Sequence, residues 1–173
     1  MNVSKSLGNK TIIVAVIDGT KARFLTLELE ELPDDDFGLN LIEREALSNP
    51  AKKLAGQELW ANIKTGRNRG AGHQAHSCDD HRQNHIVEFE RRFAQNISDR
   101  IVSLIRVYQT RHLLLIAEPQ ILGLIREALI PILPKNLELT ELAKDLCQFK
   151  AKELHEYLAD KELLPVRKNF SPR

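Results

Sequence analysis

A nearly uninterrupted apolar run close to the N-terminus, residues 11–17 (TIIVAVI), constrains the fold more than any other feature. A strand that lacks polar positions on both faces is typical of the middle of a sheet whose two faces are covered by other structure. Asp18-Gly19-Thr20 then has the composition of a turn. Residues 21–29 alternate leucines with polar side chains, which is the pattern of a half-buried hairpin partner. After a Pro-Asp-Asp-Asp turn at 33–36, residues 39–46 are a third candidate strand, so we predict an antiparallel three-stranded meander.

The hydrophobic period becomes that of a helix after Ser77. This residue is predicted to be the N-cap, because a small hydroxyl side chain can accept a hydrogen bond from the first free amides. The apolar stripe of the helix runs from Ile86 to Tyr108, and we expect the helix to end near Thr110. The rest of the chain alternates strand and helix: a buried strand at 112–117, a helix at 119–130 stopped by Pro131, a strand at 137–142 and a last helix near 151–161.

This order of elements predicts the architecture. An antiparallel meander followed by strand, helix, strand and helix fits a three-layer α/β domain with a mixed five-stranded sheet and helices on both faces, the ribonuclease-H-like arrangement. Such a fold carries no function by itself. With 173 residues, of which 42% are hydrophobic and 28% charged, the chain has room for one sizeable core. We therefore expect a single domain over residues 1–173.

The sequence has no feature of a membrane or secreted protein. Its longest apolar runs fall far short of the ~18 residues that a membrane helix needs, and its N-terminus lacks the apolar block of a signal peptide. The two cysteines, Cys78 and Cys147, are too far apart in the chain for a Cys-x-x-Cys metal pair and form no disulfide framework. We expect a cytoplasmic protein without a membrane partner.

Residues 48–77 form a basic segment that is unlike the rest of the chain. They carry five cations and one anion, a net charge of +4, which leaves −3 for the remainder of a chain whose formal charge is +1. A local basic patch of this kind favours contact with phosphates, and so a ribosome or another RNA is the partner that we expect. The candidate RNA-binding residues are Lys64, Arg67, Arg69 and, beyond the segment, Arg82. The alternative is a solvated loop whose cations meet only water and stray carboxylates.

Several stretches of the chain resemble a known family in their order and spacing. They are Asp18-Gly19-Thr20-Lys21-Ala22-Arg23-Phe24, Glu88-Phe89-Glu90-Arg91-Arg92-Phe93-Ala94, the run from Leu113 to Leu129, and Lys144-Asp145-Leu146 with the later Glu153-Leu154. The family is the bacterial one labelled "host attachment protein", also described as bacterial relatives of the archaeal and eukaryotic release factors. The resemblance covers residues 12–158.

The resemblance implies a domain like the middle domain of a release factor. That domain carries a Gly-Gly-Gln loop, which enters the peptidyl transferase centre and helps to hydrolyse peptidyl-tRNA. The matching positions here are Gly72, His73 and Gln74, so the resemblance makes these three residues the catalytic candidates. His73 stands where the pattern has its second glycine, and its β-carbon restricts the backbone that such a loop uses. We therefore leave open whether the chain is an enzyme.

Four histidines in and after the basic segment suggest a possible metal site. His73, His76, His81 and His85 lie close together in sequence, and His81 and His85 have the i, i+4 spacing at which two helical side chains can share one ion. No partners that would orient these rings can be identified from the sequence. We assign neither a metal nor any other cofactor to the chain, and the sequence does not determine its oligomeric state.

Two further functions compete with the RNA hypothesis. In ribonuclease-H-like nucleases, carboxylates from the first strand, from the helix that follows and from the fourth strand hold two divalent cations. Asp18, Glu118 and either Glu88 or Glu90 occupy broadly similar places here, although the Asp-Gly pair and the Glu-Pro pair also suit a hairpin turn and a helix start. The other alternative is a non-catalytic module whose basic segment binds a protein.

Overall fold

The computed structural model describes residues 11–31, 37–49 and 75–166 of the chain. The predicted turn at 33–36 lies outside these ranges. The elements, in chain order, are β1 Ile12–Ile17, β2 Lys21–Glu31, β3 Phe37–Ser48, α1 Ala75–Tyr108, β4 His112–Ala117, α2 Pro119–Leu129, a 3-10 turn Ile130–Ile132, β5 Glu138–Ala143 and α3 Ala151–Asp160.

The five strands form one mixed sheet in the order β3-β2-β1-β4-β5. β2 pairs antiparallel with both β1 and β3, whereas β4 pairs parallel with both β1 and β5. The predicted meander and the mixed α/β sheet are therefore confirmed, and this strand order is consistent with a ribonuclease-H-like arrangement. β1, β4 and β5 run in the same direction, so their last residues lie along one side of the sheet, which we call the carboxyl edge. β2 begins at this edge and β3 ends at it. The opposite side is the amino edge.

Helices cover both faces of the sheet, as predicted. Residues 13–17 of β1 have no exposed surface, because alternate side chains face opposite layers and both layers are filled. Ile13, Ala15 and Ile17 pack against the buried side chains of α1 and α2. Val14 and Val16 point to the other face of the sheet, where they belong to a second hydrophobic core that includes Leu154 and Leu158 of α3. Within the described ranges, each helix is too short or too polar to cross a membrane.

A β-bulge in β3 changes which way its polar side chains point. The pairing shifts between Phe24, which faces Glu45, and Leu25, which faces Glu43, so Arg44 is an extra residue on β3. The bulge puts Glu43 beside Arg23 on the α3 face. Arg44 and Glu45 both reach α1, where the Arg44 guanidinium lies 5.6 Å from the ring centre of Tyr108 and Glu45 pairs with Arg100.

Some predicted boundaries were wrong by a few residues. α1 begins at Ala75, so Ser77 is inside the helix and is not its N-cap. An N-cap hydrogen bond contributes only about 1 kcal/mol, which does not by itself determine where a helix starts. α1 ends at Tyr108, two positions before the expected Thr110. α2 ends at Leu129 and the chain continues as a 3-10 turn, in which Pro131 occupies an early position that needs no amide donor.

Candidate functional site

The C-terminal part of α1 packs on the sheet. Among the side chains of α1 that the structure describes, which start at residue 87, the buried ones begin at Phe93 and continue through Ile97 and Ile101 to Ile105. Residues 87–92 are exposed or half-buried. The described apolar stripe therefore meets the core from Phe93 onward and leaves residues 87–92 outside it.

The contacts of α1 show how far the helix extends past the sheet. Arg100 pairs with Glu45, Glu45 lies opposite Phe24, and Phe24 lies opposite Ala15. Arg100 is thus level with Ala15, two residues before the end of β1. Two strand residues span about 6.6 Å, which equals about four helical residues, so the carboxyl edge lies near Asn96. β3 ends at the carboxyl edge and β4 begins at the amino edge, so α1 runs from the first of these edges to the second. Residues 75–92 therefore lie beyond the carboxyl edge and are about 27 Å long, at ~1.5 Å per helical residue; we call them the α1 overhang.

The basic segment starts from a firmly held point on the same edge. Asn49, which is only 4% exposed, follows the last residue of β3. Its backbone amide donates to the carbonyl of Thr20 at 2.7 Å, and its side-chain amide donates to the carbonyl of Gly19 at 3.3 Å. Both acceptors belong to the turn between β1 and β2. The segment therefore leaves the β1–β2 turn at its N-terminal end and joins the tip of the α1 overhang at its C-terminal end.

Two carboxylates hold that turn. Oδ1 of Asp18 accepts hydrogen bonds from the amide and hydroxyl of Thr20, both at 2.6 Å, and from the amide of Lys21 at 2.8 Å. Burial opposes the charge on Asp18, but the hydrogen bonds from Thr20 and Lys21 outweigh it, and the pKa of this carboxyl lies below its ordinary value. Oε2 of Glu118, at the end of β4, accepts from the amide of Gly19 at 3.1 Å.

The carboxylates of the nuclease hypothesis are only partly brought together. Asp18 and Glu118 lie at the ends of adjacent strands, and each is hydrogen-bonded to the β1–β2 turn. Glu88 lies on the α1 overhang, where its Oε1 pairs with Arg92 at 2.9 Å. Glu90 is on the same overhang. The structure thus gives Asp18 and Glu118 a role in holding the turn.

Asp18 also belongs to a group of three possible metal ligands with Asp145 and Cys147, whose ligand atoms lie within 4.8 Å of one another. Burial raises the pKa of the Cys147 thiol to about 12, with the negative charges of Asp18 and Asp145 adding to the effect. The thiol is therefore protonated at neutral pH in the metal-free protein. No buried side-chain nitrogen or oxygen in the described ranges lacks a hydrogen-bond partner.

Arg23 is an important residue that the sequence patterns did not single out. Its guanidinium pairs with Glu43 and also donates from Nη1 to the carbonyl oxygens of Cys147, at 3.0 Å, and Phe149, at 2.6 Å. One side chain therefore ties β2 and β3 to the loop between β5 and α3. The only sequence signal is a charged residue on the face of β2 that otherwise carries leucines.

The residues considered for RNA binding, catalysis or a metal site fall in two groups. Lys64, Arg67, Arg69, Gly72, His73 and Gln74 lie outside the described residues. Arg82, His76, His81 and His85 belong to the α1 overhang, in a part of the helix whose side chains are not described. The predictions made for both groups stay predictions.

One comparison with known proteins adds to this description. Residues 13–158 match the profile of a protein family described as "Protein required for attachment to host cells". The match extends from the second residue of β1 into α3, and so includes the whole sheet. No curated protein matches the chain.

Proposed function

This chain belongs to the family described as "Protein required for attachment to host cells", and from that premise we propose that it contacts ribosomal or transfer RNA through its basic segment. The family description names a process and no ligand, so the chemical argument must come from the chain itself. The observation that carries the proposal is the α1 overhang, to whose tip the basic segment is joined. The cytoplasmic location expected from the sequence belongs to the same proposal.

Electrostatics explains why such an overhang suits an RNA contact. The basic segment carries +4 and the rest of the chain −3. At physiological salt the Debye length is about 8 Å, so the tip of an overhang of about 27 Å is screened from the acidic body. Cations that meet a phosphate near that tip are opposed there by Asp79 and Asp80 of the overhang, and not by the carboxylates of the sheet and α3.

Hydrolysis of the peptidyl-tRNA ester is the second, stronger part of the proposal. It rests on the resemblance of Gly72-His73-Gln74 to the Gly-Gly-Gln loop of release factors. Ester hydrolysis needs a backbone amide aimed at the developing oxyanion and a polar side chain that places the water. Gln74 has the side chain for the second task. His73 decides the first, because its β-carbon limits the conformations that glycine permits.

The alternatives have less support. A two-metal nuclease needs carboxylates that are available to cations, and Asp18 and Glu118 are engaged in holding the β1–β2 turn. For a protein-binding module, the exposed large apolar side chains of the described residues are divided between the α1 overhang, with Val87 and Phe89, and other places, with Leu29, Val107, Ile130, Ile132 and Val166. A protein partner at the overhang would use Val87 and Phe89, whereas the net charge of +4 on the adjoining basic segment favours a phosphate ligand there.

A direct binding experiment tests the proposal. Purified protein is mixed with ribosomes, with deproteinised ribosomal RNA and with bulk transfer RNA, and binding is measured over a range of salt concentrations. We expect binding to at least one of these that weakens steeply with salt, because phosphate contacts release counterions. Absence of binding to all three at low salt would refute the RNA proposal and favour the protein-binding module.

A further inference from the structure

A second cationic site lies at the other end of the carboxyl edge. Lys144 follows the last residue of β5, and its ammonium donates to the hydroxyl of Tyr157 at 2.7 Å while lying 5.3 Å from the centre of the ring. The ammonium of Lys161, just after α3, lies 5.8 Å from the same ring centre. Two positive charges therefore flank one half-buried tyrosine.

Neither lysine forms an ion pair with a described residue. Among the residues that the structure describes, no carboxylate lies within 4.0 Å of the ammonium of Lys144 or Lys161. The phenol oxygen of Tyr157 accepts from Lys144, which leaves its own proton to be donated elsewhere. Phe149 packs edge-on against the Tyr157 ring, with ring centres 5.6 Å apart, and so fixes the ring in place. The group thus offers two ammonium donors and one hydroxyl donor around a rigid ring.

We propose that Lys144, Lys161 and the hydroxyl of Tyr157 bind a phosphate group of the RNA strand that the basic segment engages. Phosphate has the oxygen acceptors and the charge that this set of donors lacks. Lys144 and Asn49 both lie on the carboxyl edge, at the two outer strands of the sheet, roughly 19 Å apart at ~4.8 Å per strand spacing. An RNA strand that follows this edge can reach both places. The inference rests on the proposed function for the identity of the ligand, although the donor set exists without it.

The neighbouring carboxylates set the expected strength of this site. Asp145 and Asp160 adjoin the two lysines in sequence. Their negative charge weakens attraction of a free anion, so we expect inorganic phosphate to bind weakly and an RNA strand, held by further contacts, to bind more tightly.

Tyrosine resonances provide the first test. The chain has two tyrosines, Tyr157 at the proposed site and Tyr108 at the end of α1 near the amino edge. The signals of Tyr157 therefore report ligand binding at the site, and those of Tyr108 serve as the control. Protein with labelled tyrosine rings is titrated with a single-stranded RNA and, separately, with inorganic phosphate at constant ionic strength. We expect RNA to shift the Tyr157 signals and leave those of Tyr108 in place. A Tyr157 signal that neither ligand moves overturns the inference.

Substitutions provide the second test. Lys144→Gln with Lys161→Gln should weaken RNA binding about 3- to 10-fold and lower the salt slope by about 0.7, the contribution of one phosphate on a single strand. Tyr157→Phe, which keeps the ring and both lysines, should cost less and leave the salt slope unchanged. Arg111→Gln with Lys135→Gln removes the same charge at the amino edge from two exposed residues and should have a smaller effect. An equal loss of RNA affinity in both double variants would mean that net charge alone explains the effect, and would overturn the proposal.

The outcomes separate this inference from the function on which it rests. If RNA binds but neither moves Tyr157 nor responds specifically to the Lys144 and Lys161 substitutions, the site is wrong and the RNA function stands. If RNA does not bind while phosphate shifts Tyr157 in the wild type and not in the double variant, the phosphate site stands and the RNA function fails.

Discussion

Arg23 of β2 and Glu43 of β3 form a two-point ion pair across antiparallel strands, with Nε–Oε1 and Nη2–Oε2 distances of 3.0 Å each. The bulge at Arg44 aligns Glu43 with the α3 face, where Arg23 is 8% exposed. The Arg23 hydrogen bond holds the pKa of Glu43 below its ordinary value, despite the opposing effect of burial. The same guanidinium binds two carbonyls of the β5–α3 loop, so the pair is part of the link between sheet and α3.

Replacing Arg23 by Ala should lower the free energy of unfolding by about 2 to 4 kcal/mol, because it leaves Glu43 and two carbonyl groups without their donor. Arg23→Lys should recover only part of this, since an ammonium cannot make the two-point pair. Urea denaturation measures both. The control is Arg92→Ala, which breaks the exposed pair with Glu88 and should change stability by no more than about 0.5 kcal/mol. Equal effects at Arg23 and Arg92 would contradict this role of Arg23.

The Asp18 carboxylate should make stability depend on pH in the acid range. Its folded pKa lies below the ordinary value of 3.8, so its stabilising effect is complete above that pH and is lost as the pH falls through the folded pKa. Asp18→Asn should therefore destabilise the protein at pH 7 by about 1 to 2 kcal/mol, the cost of weakening hydrogen bonds to a charged group. The difference between the Asp18→Asn variant and the wild type in urea denaturation should shrink at about pH 3. A difference that does not change between these two pH values would argue against the ionised turn.

The cations of the basic segment should control the salt dependence of RNA binding. Replacing Lys64, Arg67 and Arg69 together by alanine should reduce the slope of log K against log salt by about 2, because each lost phosphate contact removes roughly 0.7 to 0.9. Fluorescence anisotropy with labelled RNA gives this slope directly. The matched control removes three exposed cations elsewhere, Arg111, Lys135 and Lys152. An unchanged slope in the first variant would exclude these residues as phosphate ligands.

Gln74 should affect the rate of peptide release and not ribosome affinity. If its amide places the attacking water, Gln74→Ala abolishes release from stalled ribosomes while binding is retained, since a transition-state contact acts on the rate. Release of labelled peptide and cosedimentation with ribosomes measure the two properties. If Gln74→Ala lost ribosome binding to the same extent as peptide release, Gln74 would contribute to ribosome affinity and not to the chemical step.

His73→Gly is the companion test of the same chemistry. If His73 only restricts the loop, glycine restores backbone freedom and raises the rate of release. If the imidazole takes part in proton transfer, the same substitution lowers the rate. No release by either the wild type or His73→Gly would remove hydrolysis from the proposal and leave the RNA contact to be judged by the binding experiments.

Much of the fold could be predicted from local patterns. The apolar run of β1 required a layer on each face of the sheet, and both layers are present. The alternation in β2 and the helical stripe of α1 identified which side chains would be buried, because periods of two and about 3.6 residues follow from backbone geometry alone. Boundaries were less certain, as Ser77 shows, since caps and turns differ by small free energies.

Other relationships required the tertiary structure. The bulge at Arg44, the clamp formed by Arg23 and the pairing of Lys144 and Lys161 around Tyr157 join residues that are distant in the chain. The length of the α1 overhang likewise depends on where Arg100 meets Glu45. The amino-acid sequence is enough to identify the apolar faces of each element, because burial of a side chain is a local preference repeated at a fixed period. The meeting of particular polar groups can be known only from the folded chain, because it depends on how the strands and helices align once their apolar faces have packed together.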